Sequence, residues 1–177
     1  MKDTALLIID MQTALLEAHP YDECAVVARI QRLLDQCRKK EIPVIFVRHD
    51  GGVGDELERG SAGWQICSGL MPDAGEKIID KTFNSAFRQT PLESYLQSLG
   101  IKTLILCGMQ TEYCFDVSCK VAFEKGYEVI VPRGTTTTFD NDFCSAEKLI
   151  RYYEDKIWND RYAAVKDVDE VLSLLSK

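Results

Sequence analysis

Short, continuous apolar runs recur along this chain and alternate with segments whose apolar residues have helical spacing. Each run is too short for a buried helix, and most are rich in branched side chains. Runs of this kind are typical of strands that are buried on both faces of a parallel sheet. The predicted strands are Ala5–Ile9, Ile42–Val47, Lys77–Ile79, Thr103–Cys107, Tyr127–Val131 and Tyr162–Val165.

The segments between these strands carry apolar residues three and four positions apart, as amphipathic helices do. Thr90 and Pro91 form a strong helix start, because a threonine cap is followed by proline at the first helical position. Helices are expected over residues 21–40, 90–100, 114–126, 142–157 and 167–175. The alternation predicts an α/β fold, a three-layer α/β/α sandwich around a mostly parallel, six-stranded, Rossmann-like sheet.

The composition narrows the class of function. The chain of 177 residues fits one domain, residues 1–177, with a core of its own. A net charge of −7 argues against nucleic acid or an anionic membrane surface as a partner, since both favour a basic protein surface. The first residues do not resemble a signal peptide, and no apolar run is long enough to span a bilayer. The seven cysteines include no C-x-x-C pair, so we expect reduced thiols in a cytoplasmic protein and neither disulfides nor zinc.

Cys114 is the candidate nucleophile. It follows the strand Thr103–Cys107 and a short polar turn, and it opens a helical segment that ends at Gly126. The free N–H groups and the positive dipole end at a helix start stabilise a thiolate, so we expect a thiol pKa below its usual value of about 8.5. The alternative is that Cys114, like most of the other cysteines, is a small buried apolar residue.

Three ionisable residues follow predicted strands at the same edge of the sheet. Asp10 comes directly after Ala5–Ile9, His49 lies just beyond the second strand, and Lys81 lies just beyond the third. Ligands of open α/β sheets bind at the carboxyl ends of the strands, so these residues are candidates for a site. Each also has an ordinary explanation: Asp10 as a cap, His49 as a hydrogen-bonded side chain and Lys81 as a solvated lysine.

Two loops at this edge are candidates for substrate contacts. The glycine-rich loop of residues 51–63 has no periodicity and is a candidate lid, and Trp64 beyond it either fills the core or walls a pocket. The loop of residues 133–140 carries four consecutive threonines, whose hydroxyls bind either a substrate or their own backbone. The candidate substrate-binding residues are His49, Trp64, Thr136 and Phe139.

Three sequence pieces together resemble the isochorismatase-like cysteine hydrolase superfamily, which includes nicotinamidases, carbamoyl-amide hydrolases and streptothricin hydrolase. The pieces are LLIIDMQ at residues 6–12, DKTFNSAF at residues 80–87 and CGMQTEYCFDVSCKVAFEKGYEV at residues 107–129. The resemblance runs over nearly the whole chain and implies a catalytic triad of Asp10, Lys81 and Cys114. It also implies a non-proline cis peptide bond at Met109–Gln110 and an oxyanion hole formed by the N–H groups of Gln110 and Cys114.

The chemistry of such a triad follows from its residue types. The aspartate accepts the thiol proton, the lysine stabilises the anionic pair, and the sulfur attacks an amide-type carbonyl. Two backbone donors hold the oxyanion, and water then hydrolyses the acyl-thioester. The resemblance therefore implies a hydrolase that acts on a C–N bond of a small molecule, needs no cofactor and often forms a homodimer or homotetramer.

Two departures from the superfamily pattern bear on the metal and the substrate. Nicotinamidases carry a metal site built from one aspartate and two histidines after the second strand, whereas residues 48–50 supply only His49. We therefore predict no metal and disfavour nicotinamidase activity. Members similar to streptothricin hydrolase usually have an aspartate and a histidine in the loop after the fifth strand. Gly134 and Thr136 stand in those places here, which leaves the substrate open.

Two other interpretations are open on the sequence alone. One is an isochorismatase-type enol-ether hydrolase, in which Asp10 acts as an acid and no thioester forms. Its dianionic substrate needs counter-charges, for which Arg48, Arg88 and Arg133 are available, although no clear basic pair marks a dicarboxylate pocket. The other is a non-catalytic, redox-responsive thiol protein that uses Cys114, alone or together with Cys119, as its sensor. The complete set of aspartate, lysine and cysteine favours an enzyme.

Overall fold

Six parallel strands and one short additional strand form the centre of the protein in the computed structural model, which describes residues 3–176. The ends of the predicted domain, residues 1, 2 and 177, lie outside the described residues. The short strand, β6, pairs with the end of β4. The strands are β1 (Thr4–Ile9), β2 (Val44–His49), β3 (Lys77–Lys81), β4 (Thr103–Met109), β5 (Glu128–Pro132), β6 (Thr136–Thr137) and β7 (Ala164–Lys166).

The strand order is β3-β2-β1-β4-β5-β7, and all of these pairings are parallel. The chain builds outward from β1 to β3 and then returns to β4, so the order reverses between β1 and β4. Such a reversal leaves a crevice at the carboxyl ends of the two strands, which is where ligands bind in open α/β sheets. The prediction of an α/β fold with a six-stranded, mostly parallel sheet is confirmed.

Helices connect most of the strands. Within the described part of the chain the α-helices are α1 (Thr13–Glu17), α2 (Glu23–Lys39), α3 (Leu92–Ser98), α4 (Asp116–Glu124), α5 (Ala146–Tyr152) and α6 (Val168–Ser176). A 3₁₀ turn covers Ser68–Leu70, and π-helical turns cover Thr111–Phe115 and Tyr153–Trp158. None of the helices found over residues 3–176 has both the length and the apolar character that a membrane crossing requires.

The two faces of the sheet have separate apolar cores. Leu7 and Ile9 of β1 belong to the core that contains buried residues of α3 and α4. Leu6 and Ile8 belong to the core on the other face, with buried residues of α2 and α6. Successive side chains of a strand point to opposite faces, so a continuous apolar run is what fills both cores. The result is a layer of helices on each side of the sheet.

The helix predicted over residues 142–157 begins later than its periodicity indicates. The Asp140 carboxylate accepts a hydrogen bond from the Ala146 N–H at 2.8 Å, and the Asn141 side chain accepts from two backbone N–H groups of the turn that follows it. Side-chain acceptors of this kind offer the backbone an alternative to helical hydrogen bonds. The helix therefore starts at Ala146, and it ends in the π-helical turn Tyr153–Trp158.

Gly108 allows β4 to approach β1 at the crevice. Its φ is 121°, and a Cβ atom there would lie only 2.0 Å from the carbonyl oxygen of Ile9. Glycine is the residue that tolerates both the backbone conformation and the close approach. Because β1 leads to Asp10 and β4 leads to Cys114, this contact sets the separation of the two halves of the crevice.

Gly108→Ala should lower the free energy of unfolding by about 2–5 kcal/mol, because it combines positive-φ strain with overpacking against Ile9. The measurement is urea-induced unfolding followed by circular dichroism. Gly100→Ala is the matched control, since Gly100 also has a positive φ of 67° but a Cβ there would meet no atom within 4 Å. The control should cost no more than about 2 kcal/mol. Equal losses in the two variants would contradict the steric argument.

Candidate active site

The side-chain ammonium of Lys81 is hydrogen-bonded to three partners in the crevice. Its Nζ lies 2.7 Å from Asp10 Oδ2, 3.2 Å from Cys114 Sγ and 3.2 Å from His49 Nδ1. An ammonium group carries three protons, so each proton has one acceptor. The structure thus brings together the three residues of the implied triad, and it adds His49 to them.

The sheet explains how these residues meet. Asp10 is the first residue after β1, and its φ of 52° lies in the left-handed region that aspartate visits more readily than most residues. His49 and Lys81 are the last residues of the neighbouring strands β2 and β3 and pair in register. Cys114 lies in the π-helical turn Thr111–Phe115 that follows β4. All four side chains therefore reach the same edge of the sheet.

The ion pair between Asp10 and Lys81 is buried. The Lys81 side chain is 0% exposed and the Asp10 side chain 2% exposed. Burial raises the pKa of Asp10, and the nearby Lys81 ammonium acts against this rise. Taking either ion out of water alone costs several kcal/mol, so each needs the other. The second carboxylate oxygen, Asp10 Oδ1, is also buried and has no hydrogen-bond partner among the described residues.

The Cys114 thiol is harder to ionise than a free cysteine. Burial, followed by the negative charge of Asp10, raises the pKa of this thiol to about 12, although Lys81 lowers it. The prediction of a lowered thiol pKa is wrong, because the Cys114 thiol is partly buried and lies beside the Asp10 carboxylate. The thiol therefore needs a base, and its sulfur lies within 4.8 Å of an Asp10 oxygen.

The turn before Cys114 leaves a main-chain donor free. The peptide bond Met109–Gln110 is cis, as the resemblance implies. The Gln110 carbonyl accepts hydrogen bonds from the N–H groups of Tyr113 and Phe115, both at 3.1 Å. The Gln110 N–H has no acceptor within the described part of the chain. This N–H is available to an atom placed in the crevice.

A cavity of about 250 Å³ opens beside Cys114. This volume lies below the range of about 300–1,000 Å³ that drug-sized ligands occupy, so the cavity fits a small molecule. Larger depressions of about 620 and 590 Å³ elsewhere on the surface contain no member of the triad. The residues that line the cavity are Asp10, Leu15, His49, Leu57, Asn84, Gln110, Tyr113 and Cys114.

The oxygen, nitrogen and sulfur donors of Asp10, His49 and Cys114 lie within 4.8 Å of one another, which is a donor set of the kind that binds zinc. The Lys81 Nζ is hydrogen-bonded to all three, so an ammonium already supplies the positive charge among them. Asp50, the carboxylate that follows β2, is paired with an arginine at 3.2 Å. These donors do not fit a resident metal ion of the nicotinamidase type.

One of the four candidate substrate-binding residues, His49, lines the cavity. Trp64 is buried beneath an arginine guanidinium, whose central carbon lies 3.5 Å from the ring centroid. Thr136 is buried with its hydroxyl 3.0 Å from that of Thr111. Phe139 packs against the core that contains α2. The structure therefore places the side chains of these last three residues outside the cavity lining.

Gln12 supports the site without lining it, and the sequence patterns did not single it out. Its buried side-chain amide donates to the carbonyl oxygens of His49 at 2.9 Å and Trp64 at 3.0 Å, and it accepts from the His49 N–H at 2.8 Å. These bonds hold the end of β2 against the end of the candidate lid. The sequence feature that could have identified Gln12 is its position, since it is a polar residue two positions after Asp10 within the piece LLIIDMQ.

The cavity-lining residues Asn84 and Tyr113 also lie within pieces that carry the resemblance. Neither follows a periodic pattern, because both stand in turns. Leu57 reaches the cavity from the loop of residues 51–63, which is the loop predicted as a lid. Loop positions such as these are set by tertiary contacts that no local pattern reports.

Comparison with known proteins covers most of the chain. Residues 4–155 match the isochorismatase domain family. The chain is 30% identical over 139 residues to a streptothricin hydrolase of Streptomyces noursei, and this alignment covers 77% of this chain and 50% of the relative. It is 29% identical over 160 residues to nicotinamidase 3 of Arabidopsis thaliana, which covers 82% and 78%. The chain spans about half the length of the two streptothricin hydrolases that it matches.

The fold of this chain also matches that of a solved structure in the same family. The crystal structure of an isochorismatase from Pseudomonas putida KT2440 superposes with a TM-score of 0.90 at 31% sequence identity. The superposition covers 96% of this chain and 90% of that chain. The similarity therefore extends over both halves of the sheet.

Asp10→Asn should lower the pKa of the Cys114 thiol from its value of about 12, because it removes the negative charge that opposes the thiolate and leaves Lys81 in place. The measurement is the pH dependence of alkylation by iodoacetamide, read at the Cys114 peptide by mass spectrometry. Asp50→Asn, which changes a carboxylate beside His49, should leave the midpoint unchanged. An equal or higher midpoint in Asp10→Asn would show that Asp10 is not ionised beside the resting thiol.

Proposed function

Because this chain belongs to the isochorismatase family of hydrolases, we propose that it is a cysteine hydrolase that cleaves a C–N bond of a small, uncharged amide through an acyl-thioester on Cys114. The observation that carries this proposal is the buried Asp10 carboxylate, which has an oxygen within 4.8 Å of the Cys114 sulfur and whose Oδ1 has no hydrogen-bond partner among the described residues. Both Asp10 and Cys114 are hydrogen-bonded to Lys81. A base with a free acceptor and a nucleophile that still holds its proton are what acyl transfer needs.

In the first step, Cys114 Sγ attacks the carbonyl carbon of the amide while its proton passes to Asp10. The S–C bond forms as the S–H bond breaks. A thiol with a pKa of about 12 supplies very little thiolate at neutral pH, so removal of its proton by Asp10 accompanies the attack. Lys81 contacts both residues and stabilises the negative charge as it moves from the carboxylate toward the sulfur and the carbonyl oxygen.

The N–H groups of Gln110 and Cys114 are the proposed donors to the oxyanion that this attack creates. The free N–H of Gln110 and the presence of both residues in the cavity lining support this role. Losing one donor of such a hole typically lowers kcat by about 10²–10³. The main chain of this turn therefore contributes to catalysis independently of any side chain.

In the second step, the tetrahedral intermediate collapses and the C–N bond breaks. The nitrogen leaves as an amine with the proton that Asp10 had accepted. Asp10, again ionised, then takes a proton from a water molecule whose oxygen attacks the thioester carbonyl. The C–S bond breaks as this intermediate collapses, and Asp10 returns the proton to the departing sulfur. The products are a free carboxylic acid and the regenerated thiol, so one buried carboxylate acts as base and then as acid in each half of the reaction.

The cavity favours an uncharged substrate over a dicarboxylate such as isochorismate. None of the residues that line it is a lysine or an arginine. Of the three arginines available as counter-charges, Arg48 is paired with a carboxylate at 2.9 Å, Arg133 with another at 3.0 Å, and Arg88 lies over a phenylalanine ring. None of them lines the cavity. Amide hydrolysis is therefore better supported than enol-ether hydrolysis.

We also propose a reducing compartment, the cytoplasm, for this reaction. All seven cysteines are free thiols, and Cys24 is exposed. Cys114 itself lines the cavity and is therefore accessible to small molecules. An accessible thiol in oxidising surroundings is open to disulfide formation and to oxidation of its sulfur, either of which would remove the nucleophile.

Cys114→Ala should lower the turnover of small amides on the order of 10⁴-fold or more, because it removes the nucleophile. The measurement is product formation from a panel of primary amides, ureas and lactams, with EDTA present throughout. Cys24→Ala, which changes an exposed cysteine, is the control and should keep the full rate. An enol-ether substrate that Cys114→Ala still hydrolyses, and Asp10→Asn does not, would contradict the proposal.

The kcat/KM for the amide should fall in acid with a midpoint above the ordinary aspartate pKa of about 3.9. Burial raises the pKa of Asp10, and only the ionised carboxylate accepts the thiol proton, so the acid limb moves to higher pH. The measurement is the pH profile of kcat/KM for the parent and for His49→Asn. A limb that disappears in His49→Asn would assign the titration to the histidine instead.

A further inference from the structure

His49 lies beside the catalytic residues, and hydrogen bonds hold its backbone in place. It is the last residue of β2, and both its N–H and its carbonyl oxygen are held by the Gln12 side chain. Its side chain is partly buried and lines the cavity beside Cys114. His49 takes no part in the proton transfers proposed for Asp10 and Cys114, although it contacts the lysine that both of them need.

The contact with Lys81 fixes which ring nitrogen of His49 carries the proton. Nδ1 lies 3.2 Å from Lys81 Nζ, and an ammonium group has only donors to offer. Nδ1 is therefore an unprotonated acceptor, and the neutral ring has its hydrogen on Nε2. Burial and the positive charge of Lys81 lower the pKa of His49, against the opposing charges of Asp10, Asp55 and Asp50.

We propose that His49 donates its Nε2–H to a hydrogen-bond acceptor of the substrate, and that Lys81 imposes the tautomer that makes this donor available. Nε2 has no acceptor among residues 3–176, although the ring lines the cavity. Leaving a partly buried donor unpaired costs free energy, and an acceptor on the ligand would recover it. This inference rests on the proposed function, because it requires that the amide substrate binds in this cavity.

This donor narrows the substrate class. The ligand is an uncharged amide that carries a second acceptor, a carbonyl oxygen or a ring nitrogen, on the side that faces β2. A substrate group that has only donors there would leave the Nε2–H unpaired and would be rejected. Leu15 and Leu57 supply the apolar part of the cavity, so the acceptor is set on an otherwise compact, apolar acyl group.

The tautomer is testable without turnover. The chain contains two histidines, so two-bond ¹H–¹⁵N correlation spectra of histidine-labelled protein show two rings, and His49→Asn identifies the signal of His49. His19 is exposed and serves as the second ring. We expect His49 to appear at neutral pH as a neutral ring protonated on Nε2. A proton on Nδ1, or a doubly protonated ring, would overturn the proposal.

Two substitutions separate the contact with Lys81 from the contact with substrate. The shorter amide of His49→Asn places its oxygen near the position of Nδ1, so it can accept from Lys81 but offers no donor in place of Nε2. The longer amide of His49→Gln places its NH₂ near the position of Nε2 and leaves the Lys81 proton unpaired. Circular dichroism confirms that each variant is folded before it is compared.

For the best substrate of the amide panel, His49→Asn should raise KM about three- to tenfold with little change in kcat, because it loses one neutral hydrogen bond to the ligand. His49→Gln should keep KM near that of the parent and lower kcat. Equal KM values for His49→Asn and the parent, or a rise confined to His49→Gln, would overturn the proposal. The midpoint of Cys114 alkylation should stay unchanged in His49→Asn and shift in His49→Gln.

If no amide of the panel is hydrolysed, the proposed function fails, and iodoacetamide then serves as the probe of the cavity. It is itself a small uncharged amide with a carbonyl acceptor. The concentration that half-saturates Cys114 alkylation should be about three- to tenfold higher in His49→Asn than in the parent. An unchanged half-saturation would overturn the role of His49 as a donor, whatever reaction the protein catalyses.

Discussion

The crevice depends on one buried positive charge. The Lys81 side chain is 0% exposed, and its ammonium reaches three acceptors that come from the ends of β1 and β2 and from the turn after β4. Removing one partner of a buried ion pair typically costs about 3–5 kcal/mol, because a charge is left without compensation. Lys81 therefore ties together four neighbouring strands at the edge where the sheet order reverses.

The same burial sets the chemistry of the pair that Lys81 holds. Loss of water raises the pKa of the Asp10 carboxyl and of the Cys114 thiol alike, so both groups bind a proton more tightly than they would at the surface. A more basic carboxylate is a better acceptor for the thiol proton, whereas the thiol is poorly ionised alone. The site thus favours transfer of the proton during attack over a preformed thiolate, and the positive charge between the two groups makes that transfer possible.

Much of this arrangement can be predicted from the sequence, and the reasons are local. The predicted strand Ala5–Ile9 agrees with β1 to within one residue. The prediction succeeds because a strand that is buried on both faces of a sheet reads as a continuous apolar run. Asp10 and Lys81 could be predicted as site residues, because each stands at the end of a strand and within a short sequence motif. The role of His49 beside Lys81 could not be predicted, since it follows from the register of β2 and β3. The raised thiol pKa also escapes a local pattern, because the π-helical turn and the carboxylate next to Cys114 are products of tertiary packing.

The positions of the protons around Lys81 distinguish a resting thiol from a resting thiolate. A neutron crystal structure of the deuterated protein at neutral pH measures them. We expect three deuterons on Nζ, directed at Asp10 Oδ2, Cys114 Sγ and His49 Nδ1, with a further deuteron on the sulfur and none on the carboxylate. A neutral Lys81 amine, or a sulfur without its deuteron beside a protonated Asp10, would contradict this expectation.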